Sequence, residues 1–145
     1  METQMSASVG VKERQEATGS SNKGINIALW VVQVLLALAF GAAGLMKLSP
    51  QMDPKNLGGM SLGLVRFIGI AELAGAHGMI LPSATRILPR LTSVAGVGIS
   101  IIMVLATAFH VSRSEWSHIP VTLILGGMAA FVAWGRFRKA SITPR

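Results

Sequence analysis

Residues 62–81 read LGLVRFIGIAELAGAHGMIL, twenty positions among which only Arg66, Glu72 and His77 are ionisable. At a rise of about 1.5 Å per residue, such a helix crosses the roughly 30 Å of hydrocarbon in a bilayer. Three runs of the same kind accompany it: 25–46, interrupted only by Asn26 and Gln33, then 91–111 and 119–134. The last is short, and it gains length if the apolar stems of Arg136 and Arg138 snorkel toward the interface. Composition agrees with the pattern. Of 145 residues, 51% are apolar and 13% charged, whereas an ordinary soluble domain carries about 25% charged residues to face water. The bilayer is therefore the solvent. The absence of Cys excludes disulfides, thiol chemistry, iron–sulfur clusters and cysteine zinc sites. A net charge of +7 has no basic, aromatic-interleaved face to support it, so nucleic acid is not an expected partner.

The flanking segments complete the organisation. Residues 1–24 are polar and mixed in charge, cannot bury enough apolar area to offset their ordering entropy, and are expected to be a disordered tail. Residues 135–145 form a basic C-terminal tail. The connections at 49–61, 82–90 and 112–118 are short, which makes successive helices antiparallel. The expected fold is all-α, an up-down transmembrane four-helix bundle within 25–134. The first run is too long for a signal-peptide core of about 7–15 residues and is read as a retained span. Lys12, Arg14, Lys23, Arg86, Arg90, Arg136, Arg138, Lys139 and Arg145 fall on one side, against Lys47, Lys55 and Arg113 on the other. By the positive-inside rule both termini are then cytoplasmic, and Trp30 and Trp134 sit where an interfacial aromatic belt belongs.

Polar groups inside the spans define the candidate site. By helical rise, Gln33, Glu72 and Ser100 share a layer near the midplane, while Arg66, Thr107, Thr122 and His110 lie near the outer boundary, with Lys47 just past it. A mid-depth carboxylate has no water to reach and is a functional-site hypothesis by default. On the second helix Val65, Gly69, Glu72, Ala76 and Met79 share a face. A stripe of Gln33, Ala37, Gly41, Gly44 and Lys47 on the first helix is suited to meet it through small-residue contacts. The expected pairing is Gln33 donating to Glu72, with Lys47 as an interfacial anchor and Arg66 snorkelling. His77 and His110 are too far apart in depth to ligate one haem iron. His110, Glu115 and His118 match no metal-ligand spacing and read as a polar loop, so no metal is expected. The eight Met residues read as packing.

The stretches GAAGLMKL at 41–48, RFIGIAELAG at 66–75 with Leu81-Pro82 beyond it, and ATAFH at 106–110 are together similar to the DoxX-like membrane proteins, over about 25–134. The resemblance implies a four-helix integral protein of a bacterial inner membrane. Its relatives include subunits associated with thiosulfate:quinone oxidoreduction and with oxidative-stress defence complexes. Lys47, Arg66 and Glu72 are the positions that carry over. Fold follows from such a likeness far more than function does. The leading expectation is a non-catalytic accessory or assembly subunit of a redox or stress-response membrane complex, with a membrane-protein partner or a second copy of itself. No cofactor motif is present. One alternative is a quinone-interacting oxidoreductase subunit in which Glu72 relays protons and Arg66 with His110 binds a quinone oxygen. Another is a small-solute or proton pathway.

Overall fold

A computed structural model describes residues 2–53, 55 and 57–145. Its helices are α1 (Glu2–Leu48), α2 (Leu62–Thr85), α3 (Arg90–Ser112) and α4 (Ile119–Arg138). Each contains a stretch long and apolar enough to cross a membrane. Helix boundaries follow local chemistry. Ser61 caps α2 with its hydroxyl, accepting from the Leu64 N–H at 3.3 Å, which satisfies one of the donors orphaned at a helix start. Arg86 ends α2 in the left-handed region at φ 60°. Pro120 opens α4, where a missing N–H costs nothing.

Two boundaries depart from expectation. Residues 2–24, expected to be disordered, continue α1 back to Glu2. No proline interrupts residues 1–49, and Ala, Gln, Glu, Lys and Arg are good helix formers. A helix already nucleated by the span therefore propagates through polar sequence at little cost per residue. Likewise α4 runs to Arg138, taking Gly135 and Arg136 out of the expected tail and into the helix.

The helices pack as a closed ring, α1 against α2, α2 against α3, α3 against α4 and α4 against α1. The core is a narrow column of Leu29, Leu36, Phe40, Met79, Ile99 and Val132 with smaller neighbours. No more than about a third of each span's most apolar stretch is buried within the chain, so lipid or another protein covers the rest. Close approach is possible because glycines face backbone across the seams. A Cβ at Gly44 would lie 2.8 Å from the Gly69 carbonyl oxygen, and one at Gly69 would lie 2.9 Å from the Lys47 Cβ. The α1 and α2 stripes read from the sequence therefore meet as expected. Gly96 plays the same part between α3 and α4, where a Cβ would come within 2.9 Å of the Ala129 carbonyl oxygen.

The connections define two ends. Arg113, beyond α3, donates through Nη1 to the Gly58 carbonyl in the α1–α2 connection. At the opposite end the Arg145 N–H donates to the Arg86 carbonyl at 3.2 Å, tying the C-terminal segment across the end of α2. The start of the α1 span, the α2–α3 connection and the end of α4 thus share one end of the bundle, called here the termini end.

Candidate functional site

Lys47 and Glu72 form the first polar centre. Lys47 lies in the last turn of α1, and Cα–Cβ bonds in a helix tilt toward its N-terminus. The lysine stem consequently leans back into the bundle, past Gly69, and reaches one turn deeper. Its Nζ donates to both Glu72 oxygens, at 3.0 and 2.8 Å. The glutamate side chain retains 5% exposure and the lysine 27%, so a charge pair sits largely out of water at the tightest point of the α1–α2 contact. The expected Gln33–Glu72 hydrogen bond does not form, and Lys47 is not a mere interfacial anchor. A four-carbon ammonium arm spans the turn that separates its backbone from the carboxylate, whereas the Gln33 amide lies about two turns further along α2, level with Met79 and Ser83.

Gln33 belongs instead to a second centre nearer the termini end. It is fully buried, and its Nε2 donates to the Met79 carbonyl and, at 3.3 Å, to Ser83 Oγ. Ser83 Oγ in turn lies 2.8 Å from Thr92 Oγ1 on α3. The Gln33 carbonyl oxygen accepts from Arg136 Nε at 2.7 Å. Arg136 Nη1 donates to Asn26 Oδ1 at 2.7 Å and to the Ala140 carbonyl at 3.2 Å, and its guanidinium lies 5.3 Å from the centre of the Trp30 ring. Arg136, expected to snorkel outward, is only 4% exposed. The residues buried with it on α4 explain why: Ala129, Val132 and Ala133 stand seven, four and three positions before it, on one helical face. That spacing was the available signal, and it places Arg136 on the core stripe.

Two hydroxyl contacts join α3 to α4. Ser100 Oγ donates to the Gly96 carbonyl at 2.8 Å and to the Gly126 carbonyl at 3.3 Å. Thr107 Oγ1 lies 2.7 Å from Thr122 Oγ1 and donates to the Met103 carbonyl. Together with the two centres above, these bonds give every neighbouring helix pair at least one cross-helix polar contact.

The remaining expected residues lie apart. Arg66 is exposed on the outside of α2, away from the buried face that carries Glu72. His77 is exposed and its Nδ1 sits 2.8 Å from its own helix's Leu73 carbonyl. His110 joins a loop cluster. Its Nδ1 lies 2.7 Å from Glu115 Oε2, its ring stacks on His118 at 4.7 Å, and Arg113 Nε donates to the other Glu115 oxygen at 2.7 Å. Donor atoms of His110, Glu115 and His118 fall within 4.8 Å of one another. The Arg113 hydrogen bond and then that from His110 hold the Glu115 carboxyl below its ordinary range, so the carboxylate already has a cationic partner in Arg113.

The model of one protein family, described as the DoxX-like family, matches residues 31–132. Neither the curated proteins nor the solved structures provide a match to the chain.

Proposed function

Taking as premise that the chain belongs to the DoxX-like family, we propose that it is a non-catalytic accessory or assembly subunit of a redox or stress-response complex in a bacterial plasma membrane, with both termini cytoplasmic. One observation carries the reading. Four pairs of polar side chains in the spans bond across the helix seams of the chain itself: Lys47 to Glu72, Gln33 to Arg136, Ser83 to Thr92, and Thr107 to Thr122. Groups committed in this way hold a scaffold together. The faces left over are apolar and point outward, with Leu38, Phe67, Val104 and Ile124 all more than half exposed. Gly98 and Gly127 are open on those faces, with nothing within 4 Å of where a Cβ would stand. Small, open positions of this kind admit the backbone of a neighbouring helix. The orientation rests on nine basic residues on the side of the termini against three on the other.

Affinity purification of the full chain in mild detergent tests the proposal. The expected result is a stoichiometric membrane partner, or a defined homo-oligomer, lost on Gly98→Leu and Gly127→Leu substitution. A monodisperse single chain, unchanged by those substitutions, would overturn it.

A further inference from the structure

Arg136 carries a charge that has no counter-ion among the described residues. A guanidinium stays protonated in proteins, and this one is 4% exposed. All its acceptors are neutral: the Gln33 and Asn26 amides and the Ala140 carbonyl. Its Nη2 is buried and has no acceptor among the described residues. No Asp or Glu occurs in residues 17–52, 73–114 or 116–145, the segments from which this end of the bundle is built. A buried cation without an opposite charge is costly, and an anion brought within range offsets that cost.

A place for such an anion lies against it. Asn26 and Ala140, the two Nη1 acceptors, both line a cleft of about 340 Å³ whose wall also holds Lys23, Arg86, Ser141 and Thr143. A second, open depression of about 500 Å³ shares Arg86 with it and is also lined by Arg145. The lining supplies two cations, amide and hydroxyl donors, and no carboxylate. Its level is fixed by the helices: the α1 span begins at Asn22, Arg86 follows the last residue of α2 and Ala140 lies just past α4. That is the depth of a membrane interface, where lipid phosphates lie.

We propose that this cleft binds a phosphate-bearing anion, with Lys23 and Arg86 touching the phosphate and Arg136 supplying charge from behind Asn26. The depth makes the headgroup of an anionic phospholipid its source. The inference is independent of any protein partner, since no residue in it belongs to the outward faces considered above.

Native mass spectrometry of the full chain, released from nanodiscs of phosphatidylcholine with a rising fraction of phosphatidylglycerol, reads the binding directly. The expected result is selective retention of phosphatidylglycerol. It should weaken about fivefold in Lys23→Gln or Arg86→Gln and about 30-fold in the double variant, at roughly one surface-cation equivalent each. Both side chains are exposed, so the fold survives the change. The comparison variant is Arg138→Gln with Lys139→Gln, two exposed cations at the same end outside the cleft. If it weakens retention as much as the cleft variant, attraction is diffuse and the proposal falls. A parallel arm adds inorganic phosphate to the protein in neutral detergent. Thermal stabilisation there, lost in the Lys23/Arg86 double variant, supports the same site with soluble phosphate as the source. The absence of both lipid retention and phosphate stabilisation would overturn the proposal.

Discussion

Removing one partner of the Lys47–Glu72 pair should cost far more than removing both. At 2.8 Å, two unit charges in an effective dielectric of about 20 attract by roughly 6 kcal/mol. Desolvation of the two ions cancels much of that. Truncating one partner of a fully buried pair typically costs about 3–5 kcal/mol, because the other charge is left uncompensated. Here the lysine keeps 27% exposure, and water at that side lowers the expected penalty to about 2–3 kcal/mol for either Lys47→Met or Glu72→Leu. The double variant Lys47→Met/Glu72→Leu replaces the pair by apolar groups of similar volume and should cost only about 1 kcal/mol. The resulting coupling is about 3–5 kcal/mol. Reversible unfolding in mixed micelles, followed by Trp30, Trp116 and Trp134 fluorescence and by helicity, measures all four states. Single-variant costs that add to within about 0.5 kcal/mol in the double variant would refute the claim that these charges are energetically joined.

Other outcomes follow from neighbouring features. Gly44→Ala should destabilise by about 1–3 kcal/mol through overpacking, since its Cβ would meet the Gly69 carbonyl and Leu73 at 2.8 Å, whereas Gly98→Ala, which meets nothing within 4 Å, should be neutral or slightly stabilising in the same assay. Gln33→Leu leaves the buried Arg136 Nε without its acceptor and should cost at least about 2 kcal/mol; an unchanged midpoint would count against the network. Because Arg113 and then His110 hold the Glu115 carboxyl low, the loop contact is fully present above the unfolded carboxylate range and is lost as pH falls through the depressed native value. Infrared titration of labelled glutamate should show this, and Arg113→Ala should move the transition upward. The chain lacks Cys, so single-cysteine variants report sidedness cleanly: an impermeant maleimide outside intact cells should label Ser117→Cys and spare Ser141→Cys, and the reverse pattern would invert the topology.

Span positions, the α2 face with Glu72 at its centre, and the α1 stripe meeting it were legible from hydropathy and helical spacing. Pairings inside the bundle were not. Axial depth follows Cα positions, whereas a lysine or arginine head lies about a helical turn from its own backbone. Lys47 at the edge of one span and Arg136 at the edge of another both bend inward, and axial counting assigns each to the interface. The direction of bending depends on which neighbour leaves room. For Lys47 that room comes from Gly69 across the seam, which the sequence of α1 alone does not show; for Arg136 the spacing of Ala129, Val132 and Ala133 on α4 shows the buried face but not its partner, the Gln33 amide oxygen. The α1 extension was missed for a different reason: composition judges whether a segment can fold alone, and this one is continuous with a helix the membrane already supports.

The closed ring fastened by a few polar atoms has a consequence for variation. Hydrocarbon tails solvate an outward Leu as well as another Leu does, so greasy contacts discriminate poorly between one rotation of a helix and the next. Register is then dictated by the sparse latches within, and the exterior coat is chemically unconstrained by the protein's own architecture. Residues such as Leu35, Phe67, Ile101 and Leu123, all exposed on that coat, can be exchanged wholesale for others of like hydrophobicity while the four rods keep their places. One latched frame can therefore be re-dressed for a different neighbour without being rebuilt.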